Sequence, residues 1–178
     1  MISTPRLILL PICASDCKAI HAKNCYPEVA EFNTIGIPKS IEDTKQLLAP
    51  LFEKQQPDKG QQLGWTIRLK ESNTFIGELG MRLSIPKYNK VEIHYSLVPV
   101  YWKKGYAVEA IKEIICYGMK RLGLHRIEAG VQTQNIRSIQ LLEKVGMKRE
   151  GMHREILPIQ GEWKDNYSYA ILSNDMDY

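Results

Sequence analysis

The chain has 178 residues, of which 44% are hydrophobic and 25% charged, with a net charge of +4. These values are typical of one globular domain, here expected over residues 1–178, and they exclude a disordered or fibrous chain. Without an apolar run near the roughly 20 residues that cross a bilayer, we expect a cytoplasmic protein, and the mild basic charge favours an anionic ligand.

The first half of the chain predicts strands and helices in alternation. Ser40, followed by an acidic first turn at Asp43, is a typical N-cap and predicts that a helix begins there. The predicted elements are a strand at Arg6–Leu10, a helix at Ser15–Asn24, a helix from Ser40 to about Lys54, a surface loop at Gln55–Gln62, and a hairpin of strands at Leu63–Lys70 and Phe75–Ile85.

The second half begins with a fourth strand at Val91–Val98, where apolar and polar residues alternate. An amphipathic helix follows Gly105 and ends near Gly123. The remaining elements are a strand at His125–Gln132, a helix at Asn135–Val145 and a hairpin of Met147–Leu157 with Trp163–Leu172. This order predicts a mixed α/β fold.

Four residues of metal-ligating types lie at four-residue intervals: Cys13, Cys17, His21 and Cys25. On a helix this span rises about 18 Å, whereas zinc–sulfur bonds are about 2.3 Å long. The four side chains therefore cannot meet at one ion. We expect no metal site and no disulfide, which fits a reducing compartment.

The stretch YWKKGYAVEAI, Tyr101–Ile111, places two lysines and a glycine at the start of a helix. The first N–H groups of a helix have no partner within it, and together with the helix dipole they attract anions. A lysine pair at such a place is more often simply solvated. The stretch does not match a nucleotide P-loop, because it has no second glycine and no Gly-Lys-Ser/Thr ending.

Several motifs in order, EIHYSLVPVYWKKGYAVEAI, LGLHRIEAGVQTQNIRSIQLLEKVGMKREG and IQGEWKDNYSYAIL, resemble the GNAT superfamily of N-acetyltransferases. The ribosomal-protein-alanine acetyltransferase branch is the most similar, and TPRLILLP near the start also matches it. The resemblance implies a single domain with a twisted, mostly antiparallel sheet that splays between the fourth and fifth strands, with helices on both faces. It also implies acetyl-CoA as co-substrate.

Carried over residue by residue, the resemblance implies a pyrophosphate-binding turn after the fourth strand. This turn consists of Lys103, Lys104, Gly105, Tyr106, Ala107 and Val108. The pantetheine arm is expected to bond to the backbone of Ser96, Leu97 and Val98, and to contact Asn135 and Ser138. Where the family has Gln or Arg at the start of the turn, this chain has Trp102, which removes one polar side chain.

The catalytic residues implied by the family are only partly present. Many members carry a tyrosine that protonates the leaving thiolate, but the matching position is Leu142, so Ser138 is the candidate for that role. A thiol with a pKa near that of cysteine, about 8.5, leaves fairly well without an acid. Glu92, acting through water, is the preferred base. The open alternatives are Glu78, His94, His153 and Glu155.

The sequence therefore predicts an enzyme that transfers acetyl from acetyl-CoA directly to an amine, most simply a protein or peptide N-terminus. A small-molecule amine is the alternative acceptor, and a noncatalytic acetyl-CoA-binding module is the alternative class. Nucleic-acid binding is a further alternative, indicated by a cluster of basic residues: Lys144, Lys148, Arg149 and Arg154. The interleaved aromatic residues of a single-strand binder are missing there, so we expect these basic residues to form a solvated face. We also expect no membrane association. The sequence leaves the oligomeric state open.

Overall fold

The computed structural model of the chain describes residues 1–52 and 62–175. Its strands are β1 (Ile2–Ser3), β2 (Leu7–Pro11), β3 (Gln62–Leu69), β4 (Phe75–Leu83), β5 (Lys90–Leu97), β6 (Arg126–Gln132), β7 (Lys148–Ile159) and β8 (Glu162–Leu172). Its α-helices are α1 (Cys17–Asn24), α2 (Pro27–Ala30), α3 (Ile41–Leu48), α4 (Tyr106–Arg121) and α5 (Ile136–Lys144).

The eight strands form one sheet in the order β1-β2-β3-β4-β5-β6-β8-β7. Neighbouring strands are antiparallel except β5 and β6, which are parallel. Their pairing covers only Lys90–Glu92 against Arg126–Glu128, at the first residues of both strands. Beyond Glu92 the two strands are no longer paired. This divergence confirms the splay that was predicted between the fourth and fifth strands. The predicted fourth and fifth strands are β5 and β6 of the structure, because the prediction did not include the two-residue β1.

The helices pack on both faces of the sheet. On one face, α4 buries Ile111 and Ile114 in the main core, which also contains Leu79 of β4. Glu78, the residue before Leu79 on β4, forms an ion pair with Lys23 of α1. Because successive side chains of a strand point to opposite faces, α1 lies on the face opposite α4. A smaller core beneath α1 and α3 is formed by Ile12, Cys17, Ile20, Leu48 and Leu51.

Several predicted boundaries shift for local reasons. The second predicted strand, which is β3 in the structure, begins at Gln62, inside the predicted loop, of which residues 55–61 lie outside the described residues. The helix predicted from Ser40 to about Lys54 ends at Leu48, and a 3-10 turn, Ala49–Leu51, follows it. Lys54 lies outside the described residues. Pro50 has no N–H to donate to an α-helical bond, which explains the change. Ser40 caps α3 as predicted, with its hydroxyl accepting from Asp43 N.

The terminal hairpin is longer than predicted and irregular. Its register shifts between His153 and Leu157, and Glu155 has a positive φ of 48°. The Glu155 N–H donates at 2.8 Å to the side-chain Oδ1 of Asp165 on the neighbouring strand β8 instead of to a backbone carbonyl of that strand. A bulge of this kind re-aims side chains, and it cannot be read from alternation alone. Among the described residues, no helix combines the length and apolar character needed to span a membrane.

Candidate active site

Beyond Glu92 the edge of β5 that faces β6 is unpaired among the described residues, and we call the space between the two diverging strands the cleft. The N–H of Val98 donates to Ile76 O on β4 at 2.9 Å. Since backbone groups alternate along a strand, the amide of Leu97 faces the cleft. Leu97 is thus the best placed of the three backbone contacts predicted for pantetheine, and those at Ser96 and Val98 stay predictions. The Leu97 carbonyl also accepts from Trp102 Nε1 at 2.8 Å, which ties the following loop to the strand.

The loop Lys103–Gly105 turns sharply into α4. Lys103 and Gly105 both have positive φ, 60° and 80°, and Gly105 is the N-cap of the 16-residue helix. Within the described residues no side chain caps this end, so the N–H groups of Tyr106, Ala107 and Val108 are available to a ligand. Successive amides around residues of opposite φ form a concave anion site, and the helix dipole reinforces it. The loop geometry therefore fits a pyrophosphate.

Residues from the start of the chain hold this loop in place. Arg6 Nε donates to Glu109 Oε2 at 2.6 Å, and Arg6 Nη1 donates to Lys104 O at 3.1 Å. Thr4 Oγ1 donates to Glu109 Oε1, also at 2.6 Å. Burial works against the charge on Glu109, but the hydrogen bonds from Thr4 and Arg6 outweigh it and lower its pKa. Arg6, paired with the ionised Glu109, thus ties the start of the chain to the loop, which sequence spacing could not reveal.

Arg137, in the first turn of α5, brings a second cation to the cleft. Its guanidinium carbon lies 4.4 Å from the centre of the Trp102 ring. Arg137 Nη2 is also 3.6 Å from Glu31 Oε2. Stacking on an indole holds a guanidinium while leaving its edge free to donate. The guanidinium of Arg137 therefore lies against Trp102, at the start of the loop.

The predicted contacts Asn135 and Ser138 lie at the start of α5. Asn135 is the N-cap, and its Oδ1 accepts from Ser138 N at 3.2 Å. The Ser138 hydroxyl is 2.6 Å from the hydroxyl of Tyr95 on β5, so the two elements are joined across the cleft. Alternation along the strand assigns Tyr95 only to the core face. The sequence could have indicated this contact only through the tyrosine hydroxyl, because a buried tyrosine hydroxyl usually has a hydrogen-bond partner.

The other face of β4 and β5 carries charged and polar side chains in register. Glu78 lies opposite Ser96, and its carboxylate pairs with the buried ammonium of Lys23. His94 lies opposite Gly80, where a Cβ would be 2.4 Å from the imidazole Cε1. Desolvation by the surrounding protein, together with the charges of Arg82 and Lys23, lowers the pKa of His94 to about 4, although His94 as a residue is exposed to solvent. His94 is therefore neutral at pH 7.

Glu92, the preferred base, lies farther from the cleft than Glu78. It is opposite Arg82 in the register, and Arg82 Nη1 is 3.8 Å from its Oε2. It precedes Ser96 by four residues, which is about 13 Å along a strand. The structure thus brings Glu78, rather than Glu92, beside the strand residues predicted to hold pantetheine. A role for Glu92 through water stays a prediction.

Comparison with known proteins agrees with this geometry. Residues 6–148 match the acetyltransferase (GNAT) domain. The uncharacterized N-acetyltransferase YoaA of Bacillus subtilis is 32% identical over 172 residues, which are 97% of this chain and 96% of that protein. The ribosomal protein uS5-alanine N-acetyltransferase of Escherichia coli is 33% identical over 81 residues, 46% of this chain and 42% of that enzyme.

The fold is shared with a solved acetyltransferase. The spermidine N-acetyltransferase of Vibrio cholerae, in complex with CoA and spermine, superposes with a TM-score of 0.83. The match covers 97% of this chain and 98% of that one at 20% identity. At this identity the likeness shows the fold alone.

Proposed function

Since the chain belongs to the GNAT family of acetyltransferases, we propose that it acetylates the N-terminal α-amine of a protein or peptide. The family membership establishes an acetyl-CoA-dependent N-acetyltransferase. The observation that supports the peptide acceptor is a helix end without a side-chain cap beside the cleft, together with a buried ion pair and a neutral imidazole instead of an obvious strong base.

The coenzyme-binding part of the proposal uses both sides of the cleft. The pyrophosphate is assigned to the turn formed by Lys103, Lys104, Gly105, Tyr106, Ala107 and Val108. Pantetheine is assigned to the backbone of Ser96, Leu97 and Val98, and to Asn135 and Ser138. Arg6 holds the loop through the Lys104 carbonyl, and the guanidinium of Arg137 lies near the loop against Trp102. The uncapped helix end and the absence of a side chain at Gly105 support this assignment.

The chemistry needs a neutral amine. The amine lone pair forms the new C–N bond, the electrons of the C–S bond leave with the sulfur, and the amine gives up one proton. Ser138 donates a hydrogen bond to the sulfur, and Glu92 takes the amine proton through water. An α-amine with a pKa of about 7.7–8.0 is roughly a tenth neutral at pH 7, whereas lysine, at about 10.4, is neutral in fewer than one molecule in a thousand.

A small-molecule amine is the second candidate acceptor. The structural similarity to a spermidine N-acetyltransferase supports it, although that protein shares only 20% identity with this chain. The E. coli relative, whose name specifies a ribosomal-protein alanine, supports the peptide acceptor over the part of the chain that it matches. A noncatalytic acetyl-CoA-binding module is a third candidate. Release of the coenzyme A thiol from acetyl-CoA that depends on an added amine would exclude it.

We place the enzyme in the cytoplasm. All four cysteines are free thiols, and one of them, Cys17, is buried. A reducing compartment keeps such thiols from pairing.

Release of coenzyme thiol from acetyl-CoA should therefore be faster with peptides than with polyamines. We expect kcat/KM for peptides beginning with Ala or Ser to exceed that for spermidine by at least about tenfold at pH 7, because a larger neutral fraction of the α-amine is available. An N-terminally blocked peptide of the same sequence is the matched control and should be inactive. A higher kcat/KM for spermidine would overturn the peptide assignment and support the second candidate.

A further inference from the structure

Tyr95 and Ser138 make a hydrogen bond that joins β5 to α5, with 2.6 Å between their oxygens. The Tyr95 ring packs against the main core, while its hydroxyl reaches across to the first turn of α5. Ser138 itself is only partly buried. The contact therefore spans the cleft that the divergence of β5 and β6 creates, next to the residues assigned to pantetheine.

The chemistry of the two hydroxyls decides which one donates. Burial raises the pKa of Tyr95 to about 12, against the opposing effect of the Ser138 hydrogen bond, so the phenol stays protonated at neutral pH. A phenol is nonetheless a stronger acid than an aliphatic alcohol. The positions of the two oxygens allow either direction, and we assign the donor role to Tyr95 and the acceptor role to Ser138 Oγ because the phenol is the stronger acid. A hydroxyl has one hydrogen and two acceptor lone pairs, so the Ser138 hydrogen remains available for another acceptor.

The backbone of Ser138 is fixed as well. Its N–H donates to Asn135 Oδ1 at 3.2 Å, which holds the first turn of α5. With the backbone held by the N-cap and Oγ held by Tyr95, the remaining freedom of Ser138 is the direction of its own hydrogen. A positioned donor of this kind is more effective than a freely rotating one, because it does not have to reorient as charge develops.

We infer that Tyr95 is a positioning residue that orients the Ser138 hydroxyl so that its hydrogen points at the sulfur of the coenzyme. This inference rests on the proposed function for the reaction itself and deepens it for the leaving group. Leu142, the position that the family resemblance matches to a tyrosine, is completely buried in the main core. A phenol hydroxyl is instead delivered to α5 from the neighbouring strand, one turn earlier.

The step requires no added reactant. As the C–S bond breaks, its electron pair stays on the sulfur, and the Ser138 O–H donates a hydrogen bond to the developing thiolate. Tyr95 keeps its proton and donates to Ser138 Oγ throughout. The thiolate then takes its proton from water, and the proton released by the amine passes through water to Glu92, the base of the proposed function. Tyr95 thus acts through Ser138 and does not touch the sulfur.

A double-mutant cycle tests the inference. Tyr95→Phe should lower kcat roughly threefold to tenfold, the size of one hydrogen bond, with little change in KM for acetyl-CoA. Ser138→Ala should lower kcat roughly tenfold to a hundredfold. Because Tyr95 acts through Ser138, Tyr95→Phe should change kcat less than about twofold when Ser138 is already alanine. Independent effects that multiply in the double variant would show a merely structural role and overturn the inference.

Tyr169→Phe is the matched control. The Tyr169 hydroxyl also bonds to α5, donating to Glu143 Oε1 at 3.0 Å, and Tyr169 is almost fully buried. Removing it deletes a comparable contact to the same helix away from the cleft, so kcat should stay within about twofold of the wild type. A similar loss of kcat in both phenylalanine variants would attribute the Tyr95 effect to helix packing and overturn the inference.

A binding measurement provides a readout that does not depend on the acceptor. Calorimetry should show that the wild type binds coenzyme A several-fold more tightly than desulfo-coenzyme A, since one hydrogen bond is worth about that much. Ser138→Ala should abolish this preference and Tyr95→Phe should reduce it. An undiminished preference in both variants would overturn the inference. If the peptides fail as acceptors, the proposed function fails, but this binding comparison still tests the position of Ser138.

Discussion

Gly105→Glu is expected to lower the affinity for acetyl-CoA at least about a hundredfold, equivalent to about 2.7 kcal/mol. Gly105 is the N-cap of α4, and the amides that follow it form the proposed pyrophosphate site. A glutamate there adds a negative charge where two phosphates would lie, and its Cβ would be 3.3 Å from Arg6 Nη2. Isothermal calorimetry measures the change directly.

The positive φ of Gly105 requires a control, because any side chain is strained there by roughly 1–2 kcal/mol. Gly123, just beyond the other end of α4, has a similar φ of 65°, and a Cβ added there would meet no atom within 4 Å beyond its chain neighbours. Gly123→Glu thus carries the same strain and charge away from the loop and should bind acetyl-CoA normally. If folded Gly105→Glu binds as tightly as Gly123→Glu, the pyrophosphate assignment is wrong.

Lys23→Met is expected to lower the free energy of unfolding by about 3–5 kcal/mol. Only 1% of the Lys23 side chain is exposed, and its partner Glu78 is 14% exposed. The other carboxylate oxygen, Oε2, is buried and has no hydrogen-bond partner among the described residues. Removing the ammonium leaves a buried carboxylate with no compensating charge, which is the costly half of a buried ion pair. Urea unfolding at pH 7 measures the loss.

The double variant Lys23→Met/Glu78→Leu separates the ion pair from simple packing. Replacing both partners by apolar side chains removes the stranded charge, so most of the lost stability should return. Lys45→Met is a matched control, because Lys45 forms an exposed ion pair with Glu42 and should cost less than about 1 kcal/mol. Equal losses for Lys23→Met and Lys45→Met would contradict the account of the buried pair.

The sequence was sufficient for the elements with strong local patterns. Helical spacing from Val108 to Leu122, bounded by Gly105 and Gly123, predicted α4 to within a few residues. The hairpin of β3 and β4 was likewise predicted, from two strand-like runs on either side of a polar turn. The splay between β5 and β6 followed from the family resemblance and not from periodicity. By contrast, α2 has only four residues, too few for a periodic signal.

The contacts that define the candidate site were out of reach because they join distant parts of the chain. Arg6 and Glu109 are 103 positions apart, Lys23 and Glu78 are 55 apart, and Tyr95 and Ser138 are 43 apart. Periodicity tells which face of an element a side chain occupies, but not which partner it meets there. Tyr95 was therefore placed correctly on the core face while its bond to α5 could not be foreseen.

The most direct test of the proposed function is the position of the transferred acetyl group. Peptides that begin with Ala or Ser and contain one internal lysine would be incubated with acetyl-CoA and the enzyme, then sequenced by tandem mass spectrometry. The account predicts acetate on the N-terminal α-amine, because far more of that amine is neutral at pH 7. Acetate on the lysine side chain, with the N-terminus unmodified, would contradict it.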